Sequence, residues 1–200
     1  MSEQHIPVML KQCIDMLDIN PTKTYVDATF GRGGHSKAIL EQLTTGQLIV
    51  IDQDLAAIEA AQMLQVQYPN LIIVHDNYSN LKNILNNLNI ECVDGILVDC
   101  GVSSVQLDEG ERGFSYRFDA PLDMRMNQTQ KLSAYEVVNT YTPSQLLHIL
   151  YTYGEEKHAK MIVRGIMKAR ESKPIETTFQ LVDTIKASLP KDRKSTRLNS

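Results

Sequence analysis

The sequence predicts an α/β protein whose mostly parallel, doubly wound sheet is followed by a smaller helical subdomain. Four short apolar segments in the first hundred residues alternate with segments of helical spacing. Strands that are apolar along their whole length are typical of a parallel sheet covered by helices on both faces. From Ser133 onward, by contrast, the apolar residues recur at helical spacing alone.

The first half contains four predicted strands and three predicted helices. β-Branched and aromatic residues bounded by glycine or an acid predict strands over Thr24–Phe30, Gln47–Asp52, Leu71–Asp76 and Asp94–Cys100. Isoleucine and leucine at helical spacing predict helices over Ser36–Leu43, Leu55–Gln67 and Leu81–Leu88. In such a sheet a ligand binds outside the carboxyl ends of the strands, so the residues that follow each strand are the candidates for a functional site.

The second half is predicted to begin with a long loop and to continue with helices. Residues 101–131 are rich in Gly, Asp, Arg and Ser, which indicates an ordered functional loop. Ser133 and Glu136 match a capping box, and Pro143 stands at a favoured first helical position. Further helices are expected over Glu155–Ser172, which is basic and amphipathic, and over Phe179–Leu189. We predict a first domain over residues 1–132, a helical subdomain over 133–190 and a tail over 191–200.

Composition excludes several classes of protein. The hydrophobic share is 42% and the charged share 22%, which is ordinary for a globular domain with a sizeable core. No apolar run approaches the ~20 residues that a membrane span needs. The first residues also lack a basic signal-peptide region. Cys13, Cys92 and Cys100 have neither metal-ligand nor disulfide spacing. We expect a cytoplasmic protein without a metal site.

Charge is distributed unevenly along the chain. The net charge is −4, but residues 1–130 hold 8 basic and 17 acidic side chains, whereas residues 131–200 hold 12 and 7. A basic second half is weak evidence for a polyanionic partner. A solvated helix face is the alternative that charge alone favours.

All four predicted strands deliver an acid or a glycine run to the same edge of the sheet, which indicates a nucleotide-like cofactor. In chain order these residues are Gly31, Gly33, Gly34 and His35, then Asp52 and Asp54, then Asp76 and Tyr78, and finally Asp99. A P-loop would need Gly at Ser36 and a hydroxyl residue at Ala38, and a dinucleotide fingerprint would need Gly at Ser36. Nucleoside triphosphates and dinucleotides are therefore disfavoured.

The doubled glycine suits a cofactor without phosphates, S-adenosylmethionine. Glycines at positions 33 and 34 would let the backbone approach the amino-acid and sulfonium end of this cofactor. Asp52, 19 residues after Gly33, has the spacing of an acid that accepts ribose hydroxyls, and Tyr78 could contact the adenine.

Each candidate also has a purely structural alternative. The Gly33-Gly34 pair can serve only a tight strand-to-helix turn, and His35 can enter the helix without touching a ligand. Asp27 can be buried against turn amides, and Tyr78 can be a packing aromatic. Asp54 is expected to cap the following helix.

Several motifs together resemble one known family. They are His5-Ile-Pro-Val-Met-Leu, Asp27-Ala-Thr-Phe-Gly-Arg-Gly-Gly-His-Ser36, Asp94-Gly-Ile-Leu-Val-Asp-Cys-Gly-Val-Ser-Ser104, Gln106-Leu-Asp, Glu111-Arg-Gly-Phe-Ser115, Pro121-Leu-Asp-Met-Arg-Met126 and Tyr153-Gly-Glu-Glu156. They cover about residues 5–190 and resemble the 16S ribosomal RNA cytosine-N(4)-methyltransferases, the small subunit methyltransferase H family.

The resemblance implies a class I S-adenosylmethionine-dependent methyltransferase fold with a helical domain inserted after the fourth strand. It implies methyl transfer from S-adenosylmethionine to the exocyclic N4 amine of a decoding-centre cytidine in bacterial small-subunit ribosomal RNA. The expected partner is that RNA or the assembled small ribosomal subunit. The family's cofactor contacts fall on Gly33, Gly34, His35, Asp52, Tyr78, Asp99 and Gln106.

Asp99 is also the expected catalytic residue. A cytosine amine is a poor nucleophile because its lone pair is delocalised into the ring. An acceptor for the amine hydrogens would help that lone pair turn toward the methyl group, and Asp99 ends the fourth predicted strand. Tyr78 stands where the family often has Phe, and Cys100 stands where Leu is usual.

The long loop supplies candidates for contacts with RNA. Phe114 and Tyr116 are expected either to stack on a base or to anchor the loop. Arg112, Arg117 and Arg125 are candidates for holding phosphates, although Arg125 can instead pair with Asp123 or Asp119.

The end of the chain departs from the family pattern. Residues 191–200 no longer match, and those from Lys194 onward resemble translated sequencing-adapter read-through, so we expect a truncated chain. Its fourth strand would be an exposed apolar edge, and the chain would be poorly soluble and inactive by itself. Two other functions stay open, a dinucleotide-dependent oxidoreductase and a non-catalytic RNA-binding or assembly factor.

Overall fold

A computed structural model describes residues 7–190 of the chain. The chain divides into two compact units, residues 1–103 and residues 104–200. The predicted tail, residues 191–200, lies outside the described residues, as do His5 and Ile6 of the first family motif. None of the helices in the described part is long and apolar enough to cross a membrane.

The first unit is a four-stranded parallel sheet with helices on both faces. The strands lie in the order β3-β2-β1-β4, and all three neighbouring pairs are parallel. The elements in chain order are α1 (Leu10–Leu17), β1 (Thr24–Asp27), α2 (Gly34–Leu40), β2 (Gln47–Asp52), α3 (Leu55–Gln65), β3 (Leu71–His75), a 3₁₀ turn (Tyr78–Asn80), α4 (Leu81–Asn87) and β4 (Gly95–Leu97). The parallel α/β sheet predicted from the sequence is confirmed.

Alternation along the strands divides the core between the two faces of the sheet. Tyr25, Leu48 and Val50 pack on one face with residues of α2 and α3. Val26, Ile49 and Ile51 pack on the other face with Ile84 of α4. Because both faces are covered, the strands carry apolar residues without interruption, which is why they were recognisable in the sequence.

Three strands are shorter than predicted. β3 ends one residue early, at His75, and hydrogen bonds explain where β1 and β4 end. β1 stops at Asp27 because its carboxylate accepts the Thr29 N–H and turns the chain. β4 stops at Leu97, whose carbonyl accepts the Ala28 N–H as the last ladder bond. The Asp99 N–H donates to the Thr29 hydroxyl and not to a neighbouring strand, so the sheet does not continue. The predicted ends at Phe30 and Cys100 were therefore wrong.

The second unit consists of a structured loop and four longer helices. Its elements are α5 (Ser104–Asp108), a 3₁₀ turn (Gly110–Arg112), α6 (Ala134–Thr140), α7 (Pro143–Thr152), α8 (Ala159–Ser172) and α9 (Thr178–Ser188). Capping boxes at Ser133 and Thr142 begin α6 and α7, which confirms the two predicted helix starts.

The long loop belongs to the same unit as these helices. The Leu122 N–H donates to the Glu176 carbonyl, and Pro121 forms an antiparallel bridge with Thr177. Leu122 is also part of the core formed by α6 to α9. The compact units thus divide at residues 103 and 104, ahead of the loop. The domain boundary drawn at residue 132 stays a prediction.

Candidate functional site

The turn after β1 is built around the buried carboxylate of Asp27. Its Oδ2 accepts a hydrogen bond of 2.6 Å from the Ser36 hydroxyl, and its Oδ1 accepts one of 3.1 Å from the Thr29 N–H. Burial raises the pKa of Asp27, and the hydrogen bond from Ser36 opposes this rise. Ser36, which broke the dinucleotide fingerprint in the sequence, therefore serves to satisfy a buried acid. The structural alternative for Asp27 matches this geometry.

Packing within the protein explains the glycine pair at the start of α2. Gly33 has φ +74°, and a Cβ there would lie 2.6 Å from Cζ of Phe30. A Cβ on Gly34 would collide with the ring of Pro7. Both residues must be glycine whether or not a ligand is present, so the pair alone is not evidence for a cofactor. At Gly31, in contrast, the nearest atom to a Cβ lies 4.0 Å away, so this stretch of backbone borders open space.

Asp52 joins the turns after β1 and β2. Its Oδ2 accepts from the Gly31 N–H at 2.9 Å, and its Oδ1 accepts from the Asp54 N–H at 2.9 Å. Each carboxylate oxygen has a second acceptor site, so Asp52 can receive two more hydrogen bonds from a ligand. Asp54 caps α3 by accepting from the Ala56 N–H, as the sequence predicted.

The His35 side chain points to the N-terminal segment of the chain. Its Nε2 lies 3.2 Å from the carbonyl oxygen of Val8, and the residue is buried. The imidazole thus has a structural partner, which matches the alternative stated for this residue. A contact between His35 and a cofactor stays a prediction.

The ends of β3 and β4 complete the same edge of the sheet. The Asp76 N–H donates to the Asp52 carbonyl at 3.1 Å, and Tyr78 follows with its ring half exposed. Asp99 is exposed, and the Thr29 hydroxyl fixes its backbone at 2.7 Å. Hydrogen bonds therefore connect all four strand ends. Thr29 was missed in the sequence, where it was only a residue of a predicted strand.

Gln106 is the one predicted cofactor contact that belongs to the second unit. It lies in the short helix α5 and is buried. Its assignment to the cofactor stays a prediction.

The arginines of the long loop divide into structural and exposed side chains. Arg112 is buried and donates to the carbonyls of Arg125 and Met126. Arg125 forms a two-pronged ion pair with Asp123, with both N–O distances at 2.7 Å, and this pair lowers the pKa of Asp123. The alternative of an Asp123 partner is confirmed. Of the three candidates for holding phosphate, Arg117 is the exposed one.

The same loop forms a cavity of about 200 Å³. It is lined by Leu107, Asp108, Phe114, Ser115, Tyr116 and Arg117. The Phe114 ring lies 5.7 Å from the Arg112 guanidinium and is half buried, while Tyr116 is exposed. Phe114 thus has the surroundings of an anchoring residue, whereas Tyr116 is 51% exposed.

The edge of the sheet in the first unit has the groups that a nucleoside cofactor needs. It presents a carboxylate with free acceptor sites at Asp52, open backbone at Gly31, an aromatic ring at Tyr78 and a second carboxylate at Asp99. These groups could contact the ribose, the amino-acid part and the base of S-adenosylmethionine, so the chemistry of the site is consistent with that cofactor.

Comparison with known proteins gives consistent matches. The model of a family described as the MraW methylase family matches residues 2–200. A protein named ribosomal RNA small subunit methyltransferase H from Clostridium botulinum (strain Kyoto / Type A2) is 52% identical over 191 residues, covering 95% of this chain and 62% of that protein. A protein of the same name from Finegoldia magna is 48% identical over 192 residues, covering 96% and 62%. This chain thus spans about 62% of the length of these curated relatives.

Solved structures add little to these sequence matches. An rRNA methylase from Streptococcus thermophilus aligns with a TM-score of 0.34 and 21% identity, over 40% of this chain and 50% of that one. A likeness at this level carries no argument, so the assignment rests on the family model and on the sheet order β3-β2-β1-β4. The chain belongs to the MraW methylase family, and its parallel sheet with flanking helices is the α/β fold of class I S-adenosylmethionine-dependent methyltransferases.

Proposed function

We propose that the protein containing this chain transfers a methyl group from S-adenosylmethionine to the N4 amine of a cytidine in small-subunit ribosomal RNA. The observation that carries the proposal is the set of Asp52, Asp76 and Asp99 at the carboxyl edge of the sheet. Asp52 accepts from the N–H groups of Gly31 and Asp76, and the Asp99 N–H donates to the Thr29 hydroxyl. Membership of the MraW methylase family and the name of the relatives support the proposal. The decoding centre as the target and the cytoplasm as the location are part of the same proposal.

Asp52 and Tyr78 are the proposed binding residues for the nucleoside part of the cofactor. Asp52 is held by the N–H groups of Gly31 and Asp54, so its carboxylate is oriented before a ligand arrives. Such preorganisation reduces the entropy that binding must overcome. Gly33, Gly34 and His35 form the N-cap and first residues of α2, and we propose that their backbone borders the amino-acid part of the cofactor. Gln106 is the proposed contact from the second unit.

Asp99 is proposed to act on the target base. The cofactor, when bound, supplies an activated methyl group, so the protein mainly has to position the amine. The Asp99 carboxylate would accept a hydrogen bond from the amine and favour the geometry in which the nitrogen lone pair points away from the ring. Its backbone is fixed by Thr29, which restrains where the carboxylate can reach.

The proposal is tested by methyl transfer in vitro. The full-length protein is incubated with S-adenosylmethionine carrying a labelled methyl group and with small ribosomal subunits that lack the modification, and the RNA is then digested to nucleosides. We expect label in N4-methylcytidine alone. Label in another nucleoside would show that the proposed substrate is wrong. Binding of the cofactor without methyl transfer would favour a non-catalytic RNA-binding or assembly factor.

A further inference from the structure

The outer face of α8 carries a row of cations with no partner in the rest of the described chain. Lys160, Arg164 and Lys168 are four residues apart, which places them on one face of the helix. All three are exposed, and none forms an ion pair with any residue between 7 and 190. We call these three residues the α8 basic row.

The rest of α8 is committed to the core of the second unit. Ala159, Ile162, Val163 and Ile166 are buried on the opposite side of the helix. Gly165 lies against Ser188 of α9, where a Cβ would collide with the Ser188 hydroxyl. The helix is therefore held in place on its apolar side, and the cations lie on the side that no other described element covers.

The spacing of the cations in the α8 basic row favours a polyanion-binding surface over a helix face that only contacts solvent. Like charges four residues apart repel each other and weaken a helix. A helix face that is only solvated usually alternates acids with bases, as Lys37 of α2 and Glu41, its C-cap, do. Here the row has three successive cations, and each step of four residues advances about 6 Å along the axis. That step is close to the distance between successive phosphates of a single-stranded nucleic acid.

We propose that the α8 basic row binds the sugar-phosphate backbone of the RNA substrate. The proposal rests on the function proposed above and adds residues of the second unit that are assigned to neither the cofactor nor the amine. Such contacts set the position of the RNA without reading its sequence. One residue opposes the row: Glu171 lies three residues after Lys168 on the same face and is exposed.

The test compares three variants of the full-length protein with wild type for binding to a single-stranded polycytidylate RNA over a range of salt concentrations. The first variant replaces the row (Lys160→Gln, Arg164→Gln and Lys168→Gln). The second removes the same charge from exposed lysines elsewhere (Lys11→Gln, Lys82→Gln and Lys131→Gln). The third is Glu171→Gln. Melting curves and affinity for S-adenosylmethionine are measured on all of them.

We expect the row variant to weaken RNA binding about 10- to 100-fold at 0.1 M salt and to reduce the salt slope by about 2, since each contact contributes ~0.7 to the slope on a single strand. The lysine control should change binding much less, and Glu171→Gln should tighten it. Cofactor affinity should not change in any variant. If the row variant binds like wild type, or no more weakly than the lysine control, the proposal is overturned. If the row variant has a lower melting temperature than wild type, the Glu171→Gln variant tests the proposal instead. The proposal is then overturned if Glu171→Gln does not bind the RNA more tightly than wild type.

This outcome is separate from that of the proposed function. If the row variant binds RNA like wild type while the wild-type protein transfers methyl groups, only the proposed RNA-binding surface is wrong. If the row variant binds RNA more weakly but the wild-type protein transfers no methyl group, only the proposed catalytic function is wrong.

Discussion

At the scale of single residues, two carboxylates at the sheet edge have different environments and therefore different expected roles. Asp52 is half-buried and already holds two backbone N–H groups. Asp99 is exposed, and only its backbone is held, by Thr29. A fixed acceptor suits the binding of a cofactor, whereas an accessible one suits contact with a substrate that arrives and leaves.

Asp52→Ala should weaken the binding of S-adenosylmethionine by about 1–3 kcal/mol, because charge-assisted hydrogen bonds to the ribose are lost. Titration calorimetry on the full-length protein measures this directly. Asp54→Ser is the matched control in the same loop, since serine keeps a cap on α3. An Asp52→Ala protein with unchanged affinity would show that the ribose is held elsewhere.

Asp99→Asn should lower turnover more than it lowers cofactor affinity, because the amide is a weaker acceptor for the amine in the transition state. Single-turnover rates at saturating cofactor separate the two effects. Asp94→Asn, at the opposite end of β4, should leave the rate unchanged. Our assignment of Asp99 to catalysis fails if the variant loses cofactor binding yet keeps its saturated rate.

At the scale of elements, Asp27 joins β1 to α2 through its hydrogen bond with Ser36, and the burial of its carboxylate makes stability depend on pH. Burial raises the pKa of Asp27 in the folded protein, so the unfolded chain ionises first as pH rises. The stability from protonated Asp27 is complete below about pH 4 and is lost as pH rises toward the higher folded pKa.

Asp27→Asn cannot titrate, so its melting temperature should rise relative to that of wild type over this pH range. Scanning calorimetry at a series of pH values tests the sign. Asp94 is the control with the opposite sign, because a hydrogen bond from the Thr24 N–H lowers the pKa of Asp94. The melting temperature of Asp94→Asn should fall relative to that of wild type as pH rises. Parallel curves for wild type and Asp27→Asn would contradict the raised pKa.

β4 is one of the two edge strands of the described sheet, and apolar side chains are exposed within it and directly after it. Ile96 in β4 is 45% exposed, and Val98, the first residue after the strand, is 49% exposed. An apolar edge of this kind is a template for aggregation, and a charge on it interrupts pairing with another chain. Val98→Lys should therefore raise the soluble fraction of the 200-residue chain, measured by sedimentation after expression. Val66→Lys, at another exposed valine, should not, and equal effects of both would point to net charge alone.

Sequence reasoning predicted elements whose signal is local. The bounds of β2 and the starts of α6 and α7 were predicted to the residue. An uninterrupted apolar run marks β2 and a capping box marks each helix start, and both signals lie in residues that are neighbours in the sequence. The predicted end of β4 was wrong because it depends on Thr29, whose hydroxyl accepts from the Asp99 N–H, 70 positions away. No local pattern records such a bond.

The candidate site was predictable to the same extent. The acids after each strand follow from strand ends alone, and the structure joins three of those ends through Asp52 and Gly31. The partners of Asp27, His35 and Arg125 are set by packing between segments, so the sequence could offer each only as one of two alternatives.

At the scale of the whole molecule, a sheet that carries the proposed cofactor site is followed by a unit in which one face of α8 is basic. The chain spans about 62% of its curated relatives, so we propose the activity for the full-length protein. The basic character of the second unit is confined to this face of α8, since residues 104–190 hold 11 basic and 11 acidic side chains in all.

The central claim, methylation of one cytidine amine in small-subunit ribosomal RNA, is tested most directly in cells. Ribosomal RNA from cells that lack the gene is digested to nucleosides and oligonucleotides and compared with wild-type RNA by mass spectrometry. We predict the loss of a single methyl group from one cytidine, restored by the wild-type gene and not by Asp99→Asn. An unchanged methylation pattern in the deletion strain would contradict the proposed function.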